Sequence, residues 1–527
     1  TGPARRLERV EAERWSGMGA GDLPVGGDLG QPLFAEGLFA GMEHPGAENL
    51  AGDGGWSLGL PVAVDLGPDS RWTAPPVVVG GAPPGHERSA FWDELDRLRA
   101  QPARMVVLAN NWYQLGAVGR MDEASVVAEL EGFGEVASRT GLALDWYCLD
   151  DPWDGFWEPE IGIWGRLDPE RFPGGLARLQ QGTGSRIGLW LSPWGGYFDR
   201  HDARVSWGRR HGFEIDERAG VRGPNAEAHR PCLCPAGAEY RGHVGESMRR
   251  LTAAGVGYWK IDGVQFDCQG AGHGHAVGTG GRTDQMDRFA ALLDSVRAVR
   301  PDVFLAFTTG SNPSPWWLRH ADVLWRGGLD DDAPETYDGG HLDRFATYID
   351  SCLDAYRTTA MPVSAVVTFS VVENAVRAYR DVEAEAWDRH CWFLAGRGSL
   401  HHDLYVAPDS LSEREWDVLA EALAWARRHQ RVLARSRMVG GRPQAGEPYG
   451  FVSVAGGEVI ACVRNPSARP QDMSLTTRDL LGGTVEDLRP VWGRTVGRTL
   501  QSLELDPFEV AVLSGRWRPG TPPGPPG

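Results

Sequence analysis

Gly257-Tyr258-Trp259-Lys260-Ile261-Asp262-Gly263 is an apolar run that carries two charges and ends at a carboxylate. Its length and apolar body read as a buried parallel strand. Lys260 and Asp262 are two residues apart, so on a strand they share one face. Burying both charges is costly unless each is paired or put to use. A carboxylate at the C-terminal end of a parallel strand points into the mouth of a barrel, where such folds do their chemistry.

The pattern recurs on both sides of this run. From about residue 103, short apolar runs alternate with longer amphipathic stretches. The runs are Met105–Asn111, Ala143–Asp150, Arg186–Leu191, Gly257–Asp262, Val303–Phe307, Asp322–Trp325, Pro362–Phe369 and Ser399–Leu404. Helices are predicted over Ser89–Ala100, Glu123–Arg139, Ala238–Ala254, Gln285–Arg300, Leu342–Arg357 and Glu413–His429. Eight buried strands alternating with helices predict an α/β fold, a (β/α)8 TIM barrel. Short alternating runs flank it: Leu58–Leu66 and Pro76–Val79 before, then Tyr449–Val454, Glu458–Arg464, Met473–Thr477, Thr499–Leu505 and Val510–Ser514 after. These predict an N-terminal β-rich segment over 1–88, the barrel over 89–436, an antiparallel C-terminal β-sandwich over 437–517 and a frayed Pro/Gly-rich tail over 518–527.

At 527 residues the chain is too long for one ordinary core. Hydrophobic and charged contents of 42% and 24% are those of a soluble globular protein. No run of about 18 apolar residues exists to span a membrane. A net charge of -18 argues against nucleic acid and anionic membranes as partners and fits a neutral substrate. The first residues are polar and Arg-rich with no apolar signal region. Cytoplasmic and secreted locations both stay open, as does a homo-oligomer.

The chain has 22 Trp, many near Gly, Pro and Asp rather than in helical stripes. An indole face stacks on the C–H face of a sugar ring, although half or more of these residues are expected in the core. Of seven Cys, only Cys232-Leu233-Cys234 forms a close pair, read as reduced structural thiols. The Gly-rich stretch Gly270–Gly281 carries His273 and His275 and reads as a surface loop, with a substrate contact as the alternative. No third ligand is evident beside these histidines, so neither a metal nor another cofactor is expected.

Polar groups gather at the predicted strand ends: Asn110-Asn111-Trp112-Tyr113, Asp150-Asp151, Trp190-Leu191-Ser192-Pro193-Trp194, Lys260 with Asp262, and Arg326 followed by Asp330-Asp331-Asp332. Alone, Asp151 or Asp332 reads more readily as a helix N-cap than as a site residue. Two carboxyls about 5–5.5 Å apart across a sugar are the equipment of retaining glycoside hydrolysis.

On these residues the chain resembles the retaining α-galactosidases of glycoside hydrolase family 36, in clan D, across the barrel and into the C-terminal domain. Tyr258-Trp259-Lys260-Ile261-Asp262 is similar to the family's nucleophile strand, which implies that Asp262 attacks the anomeric carbon. Trp325-Arg326-Gly327-Gly328-Leu329-Asp330 is similar to the segment ending in the acid/base, which implies Asp330, with Asp331 and Asp322 as competing choices. Asp322 is expected at the start of its strand, far from the mouth. Leu149-Asp150-Asp151 resembles the pair that grips the hydroxyls at C4 and C6, Gly188–Trp194 the strand with the aromatic wall, and Asn111-Trp112-Tyr113 the Ser-Trp-Tyr after strand one. Trp112, Trp190, Trp194, Lys260 and Arg326 join Asp150 and Asp151 as expected sugar ligands. Asn110-Asn111 stands where the family has a Cys-Ser-like pair, and Thr308-Thr309-Gly310-Ser311 where many members have a Cys-containing turn.

The resemblance implies an exo-acting retaining enzyme for terminal α-galactosides in small molecules, oligosaccharides or glycoconjugates. An α-N-acetylgalactosaminidase or an α-galactosyl transglycosylase would use the same site. A catalytically dead carbohydrate-binding protein is the reading from a different class.

Overall fold

The computed structural model describes residues 29–520, apart from 53–54, 64–67, 69–70, 143, 156–161, 182–185, 218–230, 265, 279, 309–311, 329–332, 374–382 and 495–498. Its centre is a parallel barrel. The strands are β1 Val106–Asn110, β2 Trp146–Leu149, β3 Arg186–Leu191, β4 Tyr258–Ile261, β5 Phe304–Phe307, β6 Val323–Trp325, β7 in two halves at Val366–Val367 and Val371–Glu373, and β8 His401–Val406. Neighbours pair in sequence order, and β8 returns to β1 with His401 opposite Val106. The strands are buried almost throughout because helices cover the outside and side chains fill the inside.

The broken β7 departs from the continuous run expected over Pro362–Phe369. Its first half pairs with β6 and its second half with β8. Between them Phe369 takes a left-handed conformation, φ 51°. Its ring lies 4.8 Å from that of Trp325 and 4.6 Å from that of Tyr405, so aromatic packing replaces ladder pairing at the break.

Two-residue steps along the strands lead from an aromatic floor to a polar ceiling. At the floor, Tyr258 of β4 stacks on Phe304 of β5, and its hydroxyl meets His401 Nε2 of β8 at 3.0 Å across the interior. Trp146 of β2 packs on the same rings at 5.6–5.7 Å. Two residues on come Cys148, Lys260 and Asp403; two further come Asp150, Asp262 and Tyr405.

Local signals set most helices. Glu123–Thr140 opens with the Asp122 carboxylate accepting from Ser125 N–H, and Glu413–Leu433 opens with a Ser412/Glu415 capping box. Helices Phe198–Arg210 and Ala384–Arg397 were absent from the sequence expectation. The first is highly polar, and the apolar face of the second is cut by Arg389, His390 and Arg397.

Before the barrel, Leu33–Ala35, Leu38–Met42 and Val77–Gly81 form one antiparallel sheet, and Glu48–Gly52 pairs with Gly55–Gly59. After it, Ser436–Gly440, Tyr449–Ala455, Glu458–Arg464, Val510–Arg518 and Thr484–Trp492 form a five-stranded antiparallel sheet in that spatial order. Phe451 and Cys462 face helix Ala384–Arg397, while Val452, Ala461 and Val463 face a second core closed by Met473, Leu480, Leu503 and Leu505. This alternation makes a sandwich with one sheet docked on the barrel. The last strand runs through Arg518, past the boundary expected at 517. The tail beyond 520 lies outside the described residues.

Candidate active site

The polar ceiling opens at the C-terminal mouth of the barrel. Asp262 directly follows β4, and its N–H donates to Leu191 C=O of β3 (2.8 Å). Trp190 Nε1 donates to Asp262 Oδ2 and the Tyr197 hydroxyl to Oδ1, each at 3.1 Å. Both carboxylate oxygens are thereby oriented, and the residue remains half-buried rather than sealed. Next to it, Gly263 has φ 75°, and a Cβ there would lie 2.1 Å from the Trp194 indole. Only glycine lets that indole come so close to the strand end.

Lys260 and Asp150 form a buried pair across the interior. Lys260 Nζ donates to Asp150 Oδ2 (2.7 Å) and to the Tyr405 hydroxyl (3.1 Å). Asp150 Oδ2 also accepts from Asn110 Nδ2 (2.8 Å), and Oδ1 from the Asp151 N–H (2.9 Å). Burial raises the Asp150 pKa above its usual range, and Lys260 pulls against that rise. Asn110 and Asn111 thus have structural work: Asn111 Oδ1 accepts from the Asp150 N–H at 2.9 Å.

Asp151 is not a helix cap. Its carboxylate takes a two-pronged contact from Arg204, at 2.5 and 3.2 Å, and Arg204 also donates to Asp154 at 2.8 Å. Burial disfavours the guanidinium charge, but Asp151 and Asp154 outweigh it and hold Arg204 above its ordinary value. Its plane lies 4.1 Å over the Trp164 ring. Arg204 and Tyr197 belong to the unexpected helix Phe198–Arg210 and its N-cap, and for that reason sequence reasoning missed them.

Trp112 is half-buried beside Asn110, whose Oδ1 accepts the Trp112 N–H at 2.9 Å. Arg326 is fully buried, donating to the carbonyls of Thr368 and Gly327 and stacking on Trp325 at 4.4 Å. Asp322 sits at the opposite end of the barrel, accepting from the Leu305 N–H and from Arg297, both at 2.9 Å. Asp330, Asp331 and Asp332 lie outside the described residues.

Asp403 is a buried carboxyl that the sequence reading passed over. It lies two residues after His401 and two before Tyr405, on the inward face of β8. Burial pushes its pKa up to about 6, against the opposing pull of Lys260. An ordinary aspartate in the unfolded chain titrates near 3.9. The folded state therefore binds the extra proton, and stability falls as pH rises from about 4 to 6. The gap corresponds to roughly 3 kcal/mol, fully lost above that window. Asp403→Asn is expected to remove this decline; urea midpoints across the window check it, and an unchanged profile would refute the assignment.

The Cys and His residues also come together. Cys234, from the loop after β3, meets Cys268, His273 and His275, from the loop after β4. The third ligand that the sequence left missing is supplied twice over.

The chain is a (β/α)8 barrel with an appended antiparallel β domain, and solved structures share that build. It is similar to the α-galactosidase AgaA of Geobacillus stearothermophilus (glycoside hydrolase family 36) with TM-score 0.62 and 14% identity over 92% of this chain and 69% of the other. The α-galactosidase of Lactobacillus brevis gives TM-score 0.61 and 13% identity over 93% and 67%. The α-galactosidase I of Mortierella vinacea gives 0.50 and 13% over 78% and 97%. At such identities the likeness is one of fold. No protein-family model matches the chain, and a search of curated proteins finds no match.

Proposed function

We propose that the protein is a retaining exo-α-glycosidase that hydrolyses terminal α-galactosides, with Asp262 as nucleophile and Asp330 as acid/base. The observation that carries this reading is Asp262 at the mouth, with both oxygens oriented by Trp190 and Tyr197 and the Lys260–Asp150 pair beneath it. A nucleophile held by two donors is fixed for in-line attack, yet each bond can yield as charge passes to the sugar. Support comes also from the shared fold: AgaA variants have been solved with raffinose and with stachyose. Asp150 and Lys260 offer an acceptor and a donor to neighbouring sugar hydroxyls. Asp151, steadied by Arg204, offers a second acceptor. Trp190 and Trp194, each 1% exposed, back the wall of the mouth, and the half-buried Trp112 offers an indole to the sugar. Asp330 would protonate the leaving oxygen and then draw a proton from water as the covalent intermediate is cleaved.

The test is hydrolysis of 4-nitrophenyl α-galactoside, with the anomer of the released sugar followed by NMR. The expected first product is α-galactose. First appearance of β-galactose would overturn the retaining mechanism. Sugar binding without turnover of this substrate or raffinose would overturn the enzyme reading in favour of a carbohydrate-binding protein. Turnover of the α-N-acetylgalactosaminide in preference would overturn the galactoside assignment.

A further inference from the structure

Outside the mouth, one cluster has the composition and shape of a metal centre. One donor atom each from Cys234, Cys268, His273 and His275 lies within 4.8 Å of all the others. Cys234 Sγ is 3.2 Å from His275 Nε2, and Cys268 Sγ is 3.3 Å from His273 Nδ1. A tetrahedral ion with bonds of about 2.3 Å to sulfur and 2.0–2.1 Å to nitrogen needs such edges, near 3.3–3.8 Å. We propose that these four residues bind one zinc(II) ion, which ties the loop after β3 to the loop after β4.

The surroundings are arranged as they are around ligands. His275 Nδ1 lies 2.8 Å from the Ala276 carbonyl, so the proton sits on Nδ1 and the Nε2 lone pair faces Cys234. Gln285 grips the Cys268 backbone at both ends, accepting its N–H at 3.1 Å and donating to its carbonyl at 2.9 Å. The Gly270 N–H points at Cys268 Sγ (3.4 Å), a contact that steadies a thiolate. A Cβ on Gly270 would lie 2.0 Å from the His273 ring, so glycine is what allows the loop to fold the histidine back over the cysteine. The sulfurs are buried and the rings half-buried, which leaves a path for the ion while shielding the thiolates. Two thiolates and two imidazoles select zinc over the hard cations, which prefer oxygen.

The position gives the ion a structural role. All four donors are protein atoms, so the tetrahedron has no open place for a substrate. The Leu233 N–H, next to Cys234, donates to the Trp194 carbonyl at 2.9 Å, and Trp194 packs on Tyr197, the donor to Asp262. The ion would thereby brace the wall of the mouth from behind.

The full-length chain, purified without chelator and passed over a chelating resin, is expected to retain one zinc per molecule by plasma mass spectrometry. Cys234→Ser and His275→Ala should lose most of it, while Cys352→Ser, away from the cluster, should keep it. Should the variants fail to fold, cobalt(II) added to the wild-type apoprotein decides: tetrahedral thiolate ligation gives intense visible bands and a sulfur-to-cobalt charge-transfer band. Absence of zinc together with an octahedral cobalt spectrum would overturn the proposal, as would a Cys234–Cys268 disulfide in peptides alkylated before digestion. None of these readouts depends on the glycosidase reading.

Discussion

Asp262→Ala is expected to lower kcat on 4-nitrophenyl α-galactoside on the order of 10⁴-fold or more, with the fold intact. The size follows from the geometry. Asp262 is the carboxylate at the mouth whose two oxygens are aimed by an indole and a phenol, and it is only half-buried, so truncation opens space without collapsing the core. Covalent catalysis divides one difficult displacement into two easier ones, and the alanine variant cannot make the first. Azide, which fits the vacated space, should restore turnover and give β-galactosyl azide. A variant that keeps a tenth of wild-type activity, or azide without effect on rate and product, would remove Asp262 from the nucleophile role.

Lys260→Met should cost stability as well as activity. The ammonium is buried to 6% exposure, and its partner Asp150 to 2%. Breaking a buried pair leaves a desolvated charge, at a cost of about 3–5 kcal/mol. Asp150 and Asp403 would both feel the loss, because Lys260 restrains the rise of each pKa. The deficit should therefore shrink as pH falls towards about 6, because without Lys260 the Asp403 carboxyl takes up its proton above that value. Adding Asp150→Asn should recover most of the stability and none of the activity, since the neutral side chain no longer needs a cation but cannot accept from two sugar hydroxyls as a carboxylate does. Urea unfolding of the two variants checks this. A single variant as stable as wild type would mean that Asp150 is protonated in the native protein.

The barrel could be read from the sequence because its strands are short apolar runs with period-independent burial, and only parallel strands coated by helices need that. Arg186–Leu191 and Glu458–Arg464 have the expected bounds. Strand seven could not be read correctly, since its break depends on the Phe369 ring finding Trp325 and Tyr405, contacts made by residues far apart in the chain. Asp403 lies inside the expected run Ser399–Leu404, but nothing in the chain shows that Lys260 faces it, and the polarity of Phe198–Arg210 hid Arg204 and Tyr197. Lys260 and Asp150 were legible because a charge inside an apolar run announces a partner, although only the fold could say that each was the other's. The Cys/His cluster escaped because its members lie on two different loops. His273 and His275 mark half of it, and no spacing in the chain points from them to Cys234.

The divided seventh strand also shapes how the barrel moves. A ring of strands closed by full ladders would share any strain evenly. Here two residue pairs join one half of β7 to β6, and three join the other half to β8. The barrel is accordingly a rolled strip fastened by a clasp, and opening of the ring is expected at that interrupted strand. In the circular order of strands, β3 stands across from it, with β4 at its side. Breathing of the mouth would swing the side bearing Arg326 and Asp403 outward, while Asp262 stays on the quiet arc, its position held as a sugar enters or departs.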